Sequence, residues 1–358
     1  MAPRFHELEV GRVEWLTPDA VAVTLTVPAE LADEFAYRPG QYLTFEAEID
    51  GETVRRSYSI ATPLPADGSP VEALTVGIKR VPGGRFSTWA NERLSVGDRL
   101  RVMPPEGRFT LGDENRVLLI AAGSGITPMM AIAPTVLARG GQVDLVFGNR
   151  STATIMFREA LDALKDRHTD HFSLVHILSR EAQDIPLLNG RIDGDKLSRL
   201  ARAGAIDIEG AEAVFLCGPG EMIETLGESL AGLGVAEEKI RTEYFTPTGE
   251  PVMPPSEAAE QAARDGVEIE VVVDGLRRSF VLSDPALSLV DAAHDQGVDL
   301  PFSCKGGMCC TCRCKVVEGD VELPVNYSLQ KWELEAGFTL ACQARPTSRK
   351  LVLDFDAA

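Results

Sequence analysis

Five of the seven cysteines crowd between positions 304 and 314, in the run CKGGMCCTCRC, and another follows at Cys342. Cys304, Cys309, Cys312 and Cys342 have the spacing C-x4-C-x2-C with a distant fourth cysteine, the pattern by which thiolates surround the two irons of a plant-type [2Fe-2S] cluster. Three thiolates on one short loop reach two irons only if the backbone turns sharply and sends its N–H groups toward the sulfurs. Gly306 and Gly307 permit that turn, and amides aimed at an anionic cluster help set its potential. The rival reading is a structural zinc site built on Cys309-x-x-Cys312. Zinc sites usually pair two short hooks of this kind, and here one hook stands beside a lone Cys342. Cys310 and Cys314 are left over. They alternate with Cys312 along a predicted strand and are read as small packed thiols. A register with Cys310 in place of Cys309 gives C-x5-C and is rejected.

The opening MAPRFHELEV lacks a basic segment followed by an apolar one. The thiols are therefore read as ligands rather than disulfide partners, and the protein is expected to be cytoplasmic. With 358 residues, 44% of them hydrophobic and 25% charged, the chain exceeds one ordinary core, so two or three domains are expected. No stretch approaches the roughly 20 apolar residues of a membrane span. A formal net charge of −19 argues against nucleic acid and against anionic membrane as partners, since both are polyanions. A basic protein partner fits better.

Residues 1–110 carry short apolar alternations, such as VAVTLTV at 21–27 and ALTVGIK at 73–79, broken by Pro and Gly turns. That pattern predicts a small antiparallel β-barrel or sandwich. Over 111–245 the texture changes. Apolar runs at 117–123, 143–149, 172–179 and 213–220 alternate with amphipathic segments of helical length, which predicts a parallel α/β domain. Residues 246–266 are rich in Pro, Ala and Glu and read as a linker. Residues 267–358 form a last unit with paired strands, an apolar helix around Ala286–His294, the cysteine loop and a closing LVLDFD.

In the first domain Arg56-Ser57-Tyr58-Ser59 ends a predicted strand, and residues 79–88 read KRVPGGRFST. Alternation puts Arg56 and Tyr58 on one face, with Ser59 beside them. A cation, an aromatic face and a hydrogen-bond donor are what a flavin's pyrophosphate, ring and reacting edge require. Behind the Gly83-Gly84 turn, Ser87 and Thr88 stand at a predicted helix start, where backbone N–H groups suit a phosphate. Taken alone, the string is equally a surface arginine beside a half-buried tyrosine.

After the first α/β strand comes Gly123-Ser124-Gly125-Ile126-Thr127-Pro128, with a helix expected near Met129. Glycines there let a pyrophosphate approach the backbone, although Pro128 departs from the G-x-G-x-x-G fingerprint. Cys217-Gly218-Pro219-Gly220 ends a second strand, and Cys217 is a candidate to face the reacting carbon of a nicotinamide; a buried thiol before a turn is the plain alternative. Ser179 and Arg180 could bind a 2′-phosphate, as could Arg150, so NADPH is preferred with NADH as the alternative. Glu243 and Phe245 end the last strand, where a carboxylate and an aromatic could flank the flavin; a core aromatic at a domain exit is as common. None of the five histidines forms a ligand-like pair.

With these residues in hand, the chain resembles the ferredoxin-NADP reductase superfamily, through R-S-Y-S at 56–59, G-S-G-I-T-P at 123–128, C-G-P-G at 217–220 and E-Y-F at 243–245. The appended cysteine unit makes it similar to reductases of multicomponent oxygenases that end in a plant-type ferredoxin domain. The resemblance implies a FAD-binding barrel, an NAD(P)-binding α/β domain and an α+β β-grasp ferredoxin domain. It implies FAD, although some relatives use flavin mononucleotide. It assigns flavin contacts to Arg56, Tyr58, Ser59, Lys79, Gly84, Phe86, Ser87 and Thr127, and nicotinamide-side contacts to Gly125, Thr127, Ser179, Arg180, Cys217 and Gly218. The implied activity takes hydride from NADPH onto flavin and passes single electrons through the cluster to a terminal oxygenase. Strings such as GNRS at 148–151, NGRIDGDKL at 189–197, NYSL at 326–329 and LACQARP at 340–346 are similar to reductases serving a di-iron phenylacetyl-CoA epoxidase complex. A Rieske-type oxygenase, such as a steroid 9α-hydroxylase or a ring-hydroxylating dioxygenase, is the second expectation. A stand-alone NAD(P)H-binding redox module is the third.

Overall fold

The alternating segments of the first hundred residues fold as antiparallel strands. In the computed structural model, which describes residues 4–65, 67–246 and 254–357, β1 (His6–Thr17), β2 (Ala20–Thr26), β3 (Tyr42–Ile49), β4 (Glu52–Ser59), β5 (Ala73–Lys79) and β6 (Arg99–Val102) form one sheet in the order β4-β3-β6-β1-β2-β5. Period-two patterning sets the register: Val21, Val23 and Leu25 of β2 lie opposite Ile78, Val76 and Leu74 of β5, and all six are buried. A bridge between Ile60 and Val76 brings the chain just beyond β4 onto β5. The two edges of the sheet meet there, and the barrel leaves little open edge. Helix α1 (Arg85–Glu92) packs Phe86 and Ala90 into the barrel core.

The next strands are β7 (Arg116–Ala122), β8 (Gln142–Asn149), β9 (Phe172–Leu178), β10 (Ala213–Pro219) and β11 (Ile240–Thr246), all paired in parallel in the order β11-β10-β7-β8-β9. They alternate with α2 (Ile126–Ala138), α3 (Arg158–Arg167), α4 (Gly194–Arg202) and α5 (Gly220–Gly232). Val117, Leu119 and Ala121 of β7 face the core shared with α2 and α3, while Leu118 and Ile120 face the one shared with α4 and α5. Burial on both faces explains why these strands read as continuous apolar runs. The chain leaves β7 toward β8 and β9, then returns to place β10 on the other side of β7. At such a reversal the loops after two neighbouring strands part and open a crevice at the carboxyl ends.

The barrel and the parallel sheet form one compact unit. Ala20, Ala61, Phe109 and Leu111 join the same apolar cluster as Leu119, Ala121 and Phe215. Arg241 of β11 donates to the Thr110 carbonyl at 2.7 Å and pairs with Glu114.

The C-terminal unit contains α6 (Glu257–Asp265), β12 (Val267–Val273), β13 (Leu276–Leu282), α7 (Leu289–Asp295), β14 (Arg313–Glu318), β15 (Val321–Glu322), α8 (Lys331–Glu335), β16 (Phe338–Leu340), β17 (Arg345–Pro346) and β18 (Lys350–Asp354). Its sheet runs β13-β12-β18-β14-β16, with β12 and β18 parallel, and β15 pairs with β17. Val267, Ile269, Val271 and Val273 point into one core with Leu289, Val290 and Ala293 of α7.

Two expectations change. In the segment 246–266, read as a linker, residues 247–253 lie outside the described residues, but Glu257–Asp265 is a helix. Ser256 caps it by accepting from the Ala259 N–H at 3.2 Å, and Ala259 and Ala263 are buried. Alanine is the best helix former, yet it gives only a faint apolar stripe, so composition alone resembled a spacer. The helix expected around Ala286–His294 begins at Leu289, because Ser288 takes the cap position and accepts from the Asp291 N–H at 3.1 Å.

Candidate redox sites

All seven cysteines are free thiols. Cys304 and Cys309 share a thiol hydrogen bond, Cys312 and Cys342 share another, and Cys309 also faces Cys312. The four thiols therefore gather two and two, as two bridged irons with two ligands each require. The hydrogen bond from Cys309, with the Gly306 and Met308 amides, lowers the Cys304 pKa to about 6. Cys309, as the donor, is pushed up correspondingly.

The two remaining thiols do not alternate with Cys312 along one strand as expected. Cys312 lies in the turn before β14, and Cys310 has a left-handed φ of 60°. Only Cys314 belongs to β14, where it is fully buried, and burial raises its pKa.

In the other unit, three side chains 26 to 184 positions apart converge where β4, β10 and β11 end. The Ser59 hydroxyl donates to Glu243 Oε2 at 2.8 Å, and the Cys217 thiol lies 3.8 Å from the same oxygen. Burial raises the Glu243 carboxyl to about 7, with the Ser59 and Cys217 donors opposing the rise. Glu243 still keeps part of its surface, so a flat ligand can cover it. Burial, and then the negative charge of Glu243, push the Cys217 thiol well up. At neutral pH the thiol is uncharged, and the carboxyl sits near its point of half-protonation. Phe245, two residues on, is half-buried and packs on the main core.

Beside Ser59, Tyr58 is half-buried, its ring 5.6 Å from Phe86 and 5.9 Å from Phe45 between centroids. Arg56 is exposed and donates to the Arg55 carbonyl at 2.6 Å. Lys79 ends β5 with its Nζ 3.7 Å from Asp19. Gly84 occupies the cap position of α1 and brings no side chain to its first amides, so these remain open to an anion such as a cofactor phosphate. A cation, an aromatic face, uncapped amides and a hydroxyl at the strand end fit a flavin dinucleotide.

Three residues expected to present groups to cofactors have other engagements. Phe86 is fully buried and supports Tyr58 from beneath. The Ser87 hydroxyl is buried, accepts from the Val81 N–H at 3.1 Å and donates to the Gly84 carbonyl, so it shapes the Gly83-Gly84 turn. Thr127 is buried and donates to the Ser124 carbonyl at 2.8 Å, fastening the turn that opens α2.

That helix begins at Ile126, after a 3-10 turn at Gly123–Gly125, rather than near Met129. A Cβ on Gly125 would come within 2.2 Å of the Cys217 carbonyl oxygen, so only glycine lets the β7 turn sit against the end of β10, where Gly218 follows. At the ends of β8 and β9, Arg150, Ser179 and Arg180 are exposed. Ser179 N–H bonds the Asn149 carbonyl at 2.9 Å, and Arg180 N–H bonds that of Arg150 at 2.8 Å. The neighbouring Glu181 carboxylate is occupied by Thr152.

Sequence reasoning missed Asn149. It is 8% exposed, and neither its Nδ2 nor its Oδ1 has a hydrogen-bond partner. Its place at the carboxyl end of a parallel strand, inside GNRS, was the available signal: an unsatisfied buried amide there suits a polar ligand.

Comparison with known proteins covers the whole chain. Residues 7–111 match the oxidoreductase FAD-binding domain family, 119–227 the oxidoreductase NAD-binding domain family, and 271–347 the 2Fe-2S iron-sulfur cluster binding domain family. A component protein of the 1,2-phenylacetyl-CoA epoxidase from Escherichia coli is 42% identical over 99% of this chain and 98% of its own. The ferredoxin reductase component of 3-ketosteroid-9-alpha-monooxygenase from Rhodococcus rhodochrous is 36% identical over 97% of this chain and 96% of its own. The solved structure of phthalate dioxygenase reductase shares the fold, with a TM-score of 0.61 at 21% identity, over 99% of this chain and 100% of that one. Among the described residues, no helix is long and apolar enough to cross a membrane.

Proposed function

The chain belongs to the ferredoxin-NADP reductase superfamily, among the oxygenase reductases that carry FAD-binding, NAD-binding and C-terminal [2Fe-2S] domains, and on that premise we propose that it supplies electrons to a di-iron phenylacetyl-CoA epoxidase. It is an NAD(P)H-dependent oxidoreductase, and such reductase components deliver electrons to a terminal oxygenase. The observation that carries the reading is one chain holding both the Ser59, Glu243 and Cys217 cluster and four thiols gathered two and two. The choice of partner rests on identity sustained along the whole Escherichia coli relative.

When bound, the flavin converts a hydride's electron pair into single electrons and the iron-sulfur cluster carries those onward one at a time. The chain's own groups prepare the site for this. Ser59 holds its hydroxyl proton against Glu243, at the strand end next to the Tyr58 ring. Glu243, near neutrality in pKa, can keep or yield a proton there at working pH. Cys217 stays a neutral thiol, so no second anion faces the nicotinamide. The Gly125 and Gly218 turns admit a dinucleotide close to the backbone, the α1 amides and Arg56 neutralise the flavin's diphosphate, and Arg150, Ser179 and Arg180 favour NADPH. Cys304, Cys309, Cys312 and Cys342 hold the cluster.

The test is to mix the holoprotein anaerobically with NADPH, follow the flavin and cluster bands, then admit air with a di-iron epoxidase and phenylacetyl-CoA. Bleaching of both chromophores followed by loss of the thioester is expected. Bleaching without thioester loss would sink the partner and turn attention to Rieske-type oxygenases, the second reading, which the Rhodococcus relative favours.

A further inference from the structure

The cluster loop is held from outside by two side chains that are not themselves ligands, Gln343 and Ser328. In a trans peptide the C=O of one residue and the N–H of the next point in opposite directions, so fixing a carbonyl outward aims the following amide inward. The Lys305 carbonyl accepts from Gln343 Nε2 at 2.7 Å, and the amide that follows it, Gly306 N–H, lies 3.3 Å from Cys304 Sγ. The Gly307 carbonyl accepts from the Tyr327 N–H at 3.1 Å and from the Ser328 hydroxyl at 3.0 Å. The same peptide continues into Met308 N–H, which by the same rule points the opposite way from that carbonyl. Two clamps thus fix two peptides of the loop, and one of them donates its amide to the Cys304 sulfur.

The clamping segments are themselves rigid. Asn326 Oδ1 accepts from the Ser328 and Leu329 N–H groups at 3.2 and 2.8 Å, and its Nδ2 donates to the Leu329 carbonyl at 2.9 Å. Leu329 is buried in the core of the unit. Gln343 directly follows the ligand Cys342. Gly307, at φ 75°, seats against both segments: a Cβ there would stand 3.1 Å from the Val325 carbonyl and 3.4 Å from Gln343 Cγ.

We propose that Ser328 and Gln343 are positioning residues of the cluster, which lock the Gly307-Met308 and Lys305-Gly306 peptides so that both N–H groups face the cluster thiols, with the Gly306 N–H donated to the Cys304 sulfur. Donation to a ligand sulfur withdraws negative charge from the cluster and raises its potential. The NYSL turn and Gln343 therefore hold the cluster at a potential the flavin can reach, without touching it. This rests on the reading of the four cysteines as cluster ligands. Wild-type protein without the electron paramagnetic resonance signal of a reduced [2Fe-2S] cluster would defeat that reading separately.

The test is a redox titration of the holoprotein, wild type against Ser328→Ala, Ser328→Thr and Gln343→Leu, with cluster and flavin potentials read in one experiment and the flavin as internal reference. Ser328→Ala and Gln343→Leu should each shift the cluster to lower potential and alter its resonance line shape, whereas Ser328→Thr, which keeps the hydroxyl, should restore both. Unchanged cluster potentials in the first two variants, or equal shifts in Ser328→Ala and Ser328→Thr, would overturn the proposal. Should Ser328→Ala fail to retain the cluster, retention in Ser328→Thr supports the clamp, and loss in both overturns it.

Discussion

Glu243 is the titratable group at the centre of the proposed hydride site. Its carboxyl, raised from about 4.5 to about 7, binds a proton more tightly in the folded protein than in the unfolded chain. The associated stability is fully present below about pH 4.5 and is lost as pH rises through 7. At 1.36 kcal/mol per pKa unit the loss amounts to ~3 kcal/mol. Glu243→Gln, which stays neutral, should lack this loss. Thermal unfolding followed from pH 5 to 8 is expected to show the wild type falling relative to the variant and levelling above about pH 8; parallel curves would refute the raised carboxyl. NADPH-driven flavin reduction should be slowed in the same variant, since Ser59 would face an amide in place of a proton acceptor. At this scale sequence reasoning chose Ser59, Cys217 and Glu243 by residue type, while their convergence belongs to the fold. For Phe86, Ser87 and Thr127, local pattern did not say that the side chains are already buried and, for the two hydroxyls, bonded within the protein.

Among the elements, α8 shows how a short helix is stabilised by what it touches. Five residues cannot sustain a helix in isolation. Glu333, 0% exposed, accepts from Arg313 Nε at 2.7 Å and from the Gln330 N–H at 2.9 Å, and the Arg313 guanidinium lies 3.6 Å over the Phe338 ring. Arg313 directly follows Cys312, one of the four proposed cluster cysteines, so the pair couples α8 to the start of β14. Removing one partner of a buried ion pair strands the other, at a cost of about 3–5 kcal/mol. Glu333→Ala is therefore expected to lose the cluster absorbance at a clearly lower temperature than wild type, with the flavin bands melting as before; coincident loss profiles would show that the pair contributes little. Elements with strong periodicity, such as β2, β5 and β7, were legible beforehand. Helix α6 was not, because two buried alanines in a Pro/Ala/Glu-rich stretch leave almost no apolar signal.

At the scale of the molecule, the two compact units have separate cores. The apolar cluster of the C-terminal unit draws on residues 262–355, and the other three clusters draw only on residues 8–245. Damage to the cluster site should therefore leave the hydride site folded. Cys342→Ser, which removes the proposed fourth ligand, is expected to keep the flavin spectrum and NADPH-dependent ferricyanide reduction. Electron delivery to cytochrome c should drop to background. Persistent cytochrome c reduction would mean that electrons leave from the flavin directly. The net charge of −19 suits a basic docking partner at this level.

The sequence by itself determined whatever is local: a cysteine spacing suited to two irons, glycine turns at strand ends, and the periodicities that separate a barrel from a parallel sheet. These are legible because each depends on neighbours within a few residues, through backbone φ or side-chain alternation. Only the tertiary structure decided that Ser59 meets Glu243, that Gln343 grips the Lys305 carbonyl, and that Asn149 is buried without a partner. Such contacts join residues from tens to nearly two hundred positions apart, and packing across strands, not pattern along the chain, brings them within hydrogen-bonding distance or seals them from water.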